Sequence, residues 1–274
     1  MLPAAIVVIP AYNADATLAA AVLSLFPAKT AFDILVIDDG SKVPVKKVLD
    51  ACRGLEPYRQ HITIIRSDPN QGLVPSLNKG VALAIERGHK YVIRMDADDL
   101  ARPGRIDRQI AFMDAHPDVA VSGFQLMLFK HARGDYGERR FPLSQDDIRR
   151  RMCYSGGFSH PSLIIRTGTF KRVGLYDARY LHAEDFDWTW RCMRVVKMVN
   201  LPDFLLDYRV SENQVSAKHR HAQLRAKMRV LLRELMRGEA GCLAGLLMTS
   251  AVFMLPFHAS LIIKDSLKRV VARA

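Results

Sequence analysis

The chain has 274 residues, of which 49% are hydrophobic and 25% charged, with a formal net charge of +12. That size and balance suit one large α/β domain, or a domain with an appendage, able to bury a substantial core. They exclude a disordered or a disulfide-stapled chain, and the positive charge favours an acidic partner such as an anionic membrane surface or a phosphorylated substrate.

The start, MLPAAIVVIP, has no basic region ahead of its short apolar run and reads as a first strand rather than a signal peptide. Ala5 to Ile9 is a β-branched run stopped by Pro10, and Ala14 to Phe26 has helical periodicity. Phe32 to Ile37 is a second strand ending in Asp38-Asp39-Gly40-Ser41. A helix over 45–52, a strand over 61–66, the polar loop 68–72 and a helix over 74–86 follow. Tyr91-Val92-Ile93-Arg94-Met95 is a fourth apolar strand that runs directly into Asp96, Asp98 and Asp99. Strands alternating with helices predict a doubly wound, mostly parallel sheet, whose ligands sit beyond the carboxyl ends of its strands. Three of those ends carry polar clusters: Tyr12-Asn13, Asp38-Asp39 and Asp96 to Asp99. Gathered like charges repel, and a divalent cation held by hard oxygens removes that cost. An Asp N-cap is the plainer reading of Asp99.

No GxGxxG or GxxxxGK[ST] occurs at these ends, so phosphate must be held by metal and basic side chains, with Arg66 and Arg94 nearest in sequence. Further on, 105–115 is a helix and 119–123 a strand. Residues 130–140 read as a hairpin or loop, 148–152 as helical, and 159–166 as a strand entered through a polar turn. His182 to Arg191 opens a helix, where Glu184-Asp185 also fits ordinary first-turn chemistry. Cys52, Cys153, Cys192 and Cys242 lack zinc spacing and read as reduced, mostly buried thiols of a cytosolic protein. The basic, helix-favouring segment 219–237 precedes the mostly apolar stretch 240–263, broken by Pro256 and His258 and flanked by lysine and arginine. A helical hairpin lying in the membrane interface is the preferred reading, and two helices packed on the domain or on a second copy the other. Spread rather than striped positive charge weighs against nucleic acid.

The motifs VVIPAYNA, ILVIDDGS, NQGLVPSLNKG, RMDADD with RPGRID, SHPSLIIR and GLYDARYLHAEDFDWTWR, in this order, resemble the family 2 glycosyltransferases, inverting enzymes of GT-A fold. The resemblance implies that residues 1–123 bind a nucleotide-sugar and that 124–215 bind the acceptor, while the basic and apolar composition of 216–274 predicts C-terminal helices. The resemblance also implies that Pro10, Tyr12 and Asp39 line the nucleobase and ribose pocket, with Arg66 and Asn78 nearby; Arg94 joins the donor-binding set by its place at the strand end. Asp96 would face the ribose or the metal's waters, and Asp98 would coordinate Mn²⁺ or Mg²⁺. Asp185, beside Glu184, would be the general base, with His160 and Trp188 near the acceptor. A UDP-sugar and a glycan or lipid-linked acceptor, met at the cytoplasmic face of the membrane, complete the expectation. Two departures stand out: no histidine follows Tyr208-Arg209, and no QxxRW follows Asp185, which implies one sugar per encounter. A nucleotidyltransferase would need a Gly-rich basic loop where PAYNADATL stands. A fold kept only for binding is the remaining alternative.

Overall fold

The computed structural model describes residues 2–130, 133, 135–211 and 219–255. β1 (Ala5–Ala11), β2 (Phe32–Asp38), β3 (Ile62–Arg66) and β4 (Tyr91–Arg94) form a parallel sheet in the order β3-β2-β1-β4. Their crossovers run through α1 (Leu18–Leu23), α2 (Val45–Asp50) and α3 (Leu73–Glu86). β1 is central, so it is apolar on both faces. Ala5, Val7 and Ile9 point into one layer with Leu18 and Val22 of α1 and Leu49 of α2. Ile6 and Val8 point into the other, against Val74, Leu77 and Val81 of α3. α3 lies so close that a Cβ at Gly80 would come within 2.4 Å of Val8 Cγ1.

After the two-residue β5 (Leu100–Ala101) and α4 (Arg105–Ala115), the sheet continues from β4 through β8 (Ile164–Arg166), β6 (Val119–Phe129) and β9 (Lys197–Arg209) to β5. β8 is antiparallel to both neighbours, and β7 (Gly137–Arg139) pairs with β6 as a hairpin within the loop read over 130–140. Residues 131, 132 and 134 of that loop lie outside the described residues. α5 (Gln145–Met152), α6 (Thr167–Val173) and α7 (Glu184–Met193) cover the second half of the sheet.

Three expectations change. The first helix is shorter than 14–26, and residues 53–61 form a 3-10 helix rather than a plain connection. β9 is a thirteen-residue strand that the sequence pattern did not disclose. Its alternation breaks at Leu201-Pro202-Asp203, where its pairing with β6 skips from Asn200 to Phe204.

At the C-terminal end, α8 (Arg220–Met236) and α9 (Cys242–Met254) form a helix pair packed on the sheet's helical layer. Val230 and Leu231 of α8 and Cys242 of α9 enter the core layer that holds Trp188 and Trp190. A Cβ at Gly245 would come within 1.7 Å of the Cys153 carbonyl oxygen, so α9 rests directly on the end of α5. No helix of the described residues is long and apolar enough to cross a membrane. Residues 256–263 of the apolar stretch, with their basic flank, and 216–218 lie outside the described residues.

Candidate active site

Parallel pairing puts the carboxyl ends of β1, β2 and β3 in register, with Ala11 beside Asp38 and Asp38 beside Arg66. Asp38 is buried and accepts from the N–H groups of Ser41 and Val45 and from Arg66 Nη1 at 2.7 Å. Those donors hold its carboxyl below the usual range despite the opposing effect of burial. Asp39 accepts from the N–H groups of Gln71 and Gly72, both at 2.8 Å. The acidic pair that closes β2 thus fastens the loops forming the rim, and Arg66 is fixed at that rim. Tyr12, at the end of β1 and next to Pro10 and Ala11, is 54% exposed and presents an open ring face. Asn78 does not join them. Its amide bonds both backbone groups of Tyr176, donating to O and accepting from N, so it ties α3 to a distant turn.

At the end of β4, Asp96, Asp98 and Asp99 bring carboxylate oxygens within 4.8 Å of one another. Burial first, then the Asp96 charge, pushes the Asp98 carboxyl up to about 6. Asp99 is fully buried, and its pKa is raised well above the ordinary value by burial and by both neighbours. Its Oδ1 accepts from the N–H of Arg209 at 2.9 Å, while Oδ2 has no partner. The N-cap reading of Asp99 therefore fails: the residue anchors the end of β9. Gathered, desolvated carboxylates with an unpartnered buried oxygen are the donor set a hard divalent cation satisfies. Asp96 and Asp98 are the members that stay partly exposed. Arg209 also donates from Nε to the Asp98 carbonyl oxygen, so β9 delivers a cation where the sequence offers no histidine.

Arg94, at the end of β4, is bonded to this acidic run. It is 2% exposed, and its Nη2 donates to Asp96 Oδ1 at 2.6 Å while Nη1 bonds the Met95 carbonyl. Beneath it Arg105 donates to the carbonyls of Arg94 and Pro161, and burial lowers its pKa to about 9. The Arg94 charge acts on His160, Glu184 and Asp185 as well as on Asp98.

Asp185 sits deep at the first turn of α7 yet keeps part of its surface in the cleft, and burial with the Asp96 charge raises its pKa. Its Oδ1 accepts from the Phe186 N–H at 2.7 Å. Glu184 is 5% exposed, with a pKa pushed up to about 7 by burial and by Asp185. Ordinary first-turn chemistry leaves acidic side chains solvated, whereas these two are desolvated together. His160 Nε2 lies 3.0 Å from Tyr176 Oη, and burial and Arg94 lower the imidazole well below its usual pKa, so it is neutral. Trp188 is a correction. It is fully buried, donates from Nε1 to the Gly174 carbonyl at 3.0 Å and packs on Phe170 and Tyr176, so it supports the site from behind and touches no acceptor.

A cavity of about 170 Å³ opens beside Asp185 and His160, with Gln223 and Lys227 of α8 in its wall. Sequence reasoning found neither of those two, nor Arg209 and Tyr176. Arg209, Tyr176 and Lys227 are tied there by partners far away in the chain, and residue types alone carry no sign of that.

The parallel sheet with acidic strand ends and a facing acidic helix start is the architecture of a GT-A-like glycosyltransferase. Residues 6–171 match the model of glycosyl transferase family 2, and the chain belongs to that family. Among its relatives, the amylovoran biosynthesis glycosyltransferase AmsE of Erwinia amylovora is 28% identical over 216 residues, 78% of each chain. A UDP-Gal:alpha-D-GlcNAc-diphosphoundecaprenol beta-1,3-galactosyltransferase of Escherichia coli is 26% identical over 191 residues, 69% of this chain and 66% of that one. S. aureus TarS in complex with UDP-GlcNAc superposes with a TM-score of 0.67 at 18% identity, over 91% of this chain and 72% of that one. The Pyrobaculum calidifontis mannosyltransferase PcManGT, in complex with GDP-Man and Mn²⁺, gives 0.63 at 15% identity over 97% and 81%. At these identities the structural likeness shows the fold alone.

Proposed function

We propose that the enzyme moves one sugar, with inversion, from a nucleotide-sugar, a UDP-sugar, to a hydroxyl of a glycan or lipid-linked acceptor. The observation that carries this reading is the two acidic pairs, Asp96/Asp98 and Glu184/Asp185, with the Arg94 guanidinium hydrogen-bonded to Asp96 and its charge acting on Asp98, Glu184 and Asp185. Residues 1–123 hold the donor: Tyr12 and Pro10 offer the nucleobase a face, Asp39 holds the loop beneath it, and Arg66 stands at the ribose and phosphate side. Asp98, with Asp96, would hold Mn²⁺ or Mg²⁺, which when bound supplies charge relief to the departing diphosphate.

Residues 124–215 frame the acceptor. Asp185 takes the proton of the acceptor hydroxyl as its oxygen attacks the anomeric carbon from the face opposite the diphosphate. The C–O bond electrons leave with the nucleoside diphosphate, and the proton stays on the carboxyl. A raised pKa makes Asp185 a better proton acceptor than an ordinary aspartate. His160, kept neutral, orients the hydroxyl without adding a positive charge that would hold Asp185 in its weakly basic form. UDP is favoured by the UDP-Gal donor in the name of the E. coli relative. A lipid-linked acceptor at the cytoplasmic face of the membrane agrees with that relative's acceptor and with the apolar outer side of α9.

The test is a screen of UDP-, GDP- and dTDP-sugars with Mn²⁺, run on wild type, Asp98→Ala and Asp185→Asn. Asp185→Asn is expected to lose ~10²–10⁴-fold in kcat while donor affinity holds. Near-wild-type turnover in Asp185→Asn would remove the base from its assigned place.

A further inference from the structure

His160 lines the cavity beside Asp185 with one of its nitrogens already spent. Its Nε2 lies 3.0 Å from the hydroxyl of Tyr176, a residue past the end of the segment that matches the family model. Both partners are fixed from behind. The turn that carries His160 is held through its carbonyls, Pro161 by Arg105 at 2.7 Å and Ser162 by Gln109 at 3.0 Å. Tyr176 is 5% exposed and packs against Phe170 and Trp188. Asn78 bonds both of its backbone groups, at 2.9 and 3.0 Å.

The direction of the Tyr176–His160 bond follows from counting hydrogens. Burial raises the Tyr176 phenol above its usual pKa, so the oxygen keeps its hydrogen. Among the described residues that oxygen has His160 Nε2 as its one hydrogen-bond partner. A buried O–H without an acceptor is costly, so the phenol donates and Nε2 accepts. The imidazole is neutral, for the reasons given above, and a neutral ring carries a single N–H. That hydrogen therefore sits on Nδ1, which bonds no described residue and is left to serve a ligand in the cavity.

An Nδ1–H can only donate. An acceptor hydroxyl whose oxygen accepts from it keeps its own hydrogen free for Asp185 and a lone pair free for the anomeric carbon. A bare Nδ1 would instead compete with Asp185 for that hydrogen. We infer that Tyr176 is a positioning residue: its bond to Nε2 sets the His160 tautomer, and the Nδ1–H then turns the acceptor hydroxyl toward Asp185. Which nitrogen of a histidine carries the hydrogen is commonly set by the bond the other one makes. The tautomer stands on the geometry alone, whereas its use in transfer rests on Asp185 being the base.

Nitrogen NMR of the full, metal-free chain carrying isotope-labelled histidine reads the tautomer at neutral pH, because a bare ring nitrogen resonates far from one that carries hydrogen. The His160 signals are those lost in His160→Gln. Wild type is expected to show Nδ1 protonated and Nε2 bare. In Tyr176→Phe, which removes a single oxygen, the two signals are expected to move toward each other as the tautomers mix. With the sugar nucleotide selected by the screen above, Tyr176→Phe is expected to lose on the order of 10²-fold in kcat. Its KM for the donor and its UDP affinity with Mn²⁺ stay unchanged, a split that a loosened fold would not give. Asn78→Ala is expected to lose less in kcat, again with UDP affinity unchanged. A hydrogen on Nε2 in wild type, unmoved signals in Tyr176→Phe, or full kcat in that variant overturns the inference. An active Asp185→Asn would instead remove the proposed base and leave the tautomer result standing.

Discussion

Glu184 is the residue whose chemistry departs furthest from its sequence context. Acidic residues open many helices, and nothing in HAEDFDW distinguishes a solvated pair from a buried one. Burial raises the Glu184 carboxyl from 4.5 to about 7, so the folded chain holds that proton more tightly than the unfolded chain does. The stability this contributes is complete below 4.5 and is lost as pH rises through about 7. Glu184→Gln, neutral at every pH, is expected to match wild type at pH 4 and to exceed it at pH 8 by on the order of 2 kcal/mol. Melting curves across that range measure it, and a variant less stable at pH 8 would contradict the burial of an ionisable group. Asp98→Asn tests the other rim. The half-saturating Mn²⁺ concentration should rise and kcat/KM fall on the order of 10²-fold, with the metal-free melting temperature no lower. The DxD run itself was visible in the sequence, but the division of labour within it was not. Asp99 is spent on Arg209, 110 residues away, and such a partner leaves no local pattern.

Between elements, the decisive contact is the clasp of α7 to α8. Asp187, fully buried two residues after Asp185, is held by Arg191 at 2.8 Å and by Arg233. Glu234, equally buried, is held by Arg233 at 2.7 Å and by Arg194 at 2.6 Å, with Arg237 at 3.5 Å. Arg233→Met leaves two buried carboxylates short of a counter-charge and is expected to cost about 3–5 kcal/mol. Urea denaturation reads the loss. Replacing Asp187, Arg233 and Glu234 together by apolar residues of similar volume should recover most of it, because the interaction and its desolvation cost then vanish together. The helical pattern of 219–237 was plain from composition, whereas its docking site was not, since clasp partners at 187 and 194 belong to a helix read as an isolated motif. β9 escaped for a related reason: a strand with Pro202 in its middle fails any alternation test, and its parallel partner β6 lies some eighty residues upstream.

For the molecule as a whole, the C-terminal helix pair presents two unlike sides. Cys242, Gly245, Thr249 and Val252 of α9 are buried, while Leu243, Leu247 and Met254 are at least 50% exposed. α9 carries no charged residue, and α8 beside it exposes Arg225 and Arg229, with Arg237 exposed just past its end. An apolar face with basic neighbours suits an anionic lipid surface. Full-length protein should co-sediment with phosphatidylglycerol vesicles and not with phosphatidylcholine vesicles. Binding should fall as salt rises, and Leu243→Asp with Leu247→Asp should abolish it with the melting temperature unchanged. Salt-insensitive binding, or none, would leave the outer side of α9 without a lipid role.

The sequence alone determined the alternation of strands and helices in the first half, the polar clusters at three strand ends and the family they resemble, because these are written in local periodicity and short motifs. Tertiary structure alone decided which acidic residues stay solvated, that Asn78 ties α3 to a distant turn and Trp188 supports the site from behind, and that α8 walls the cavity beside Asp185. Those outcomes depend on desolvation and on partners far apart in the chain, and both come into being only when the sheet is assembled and its layers close over it.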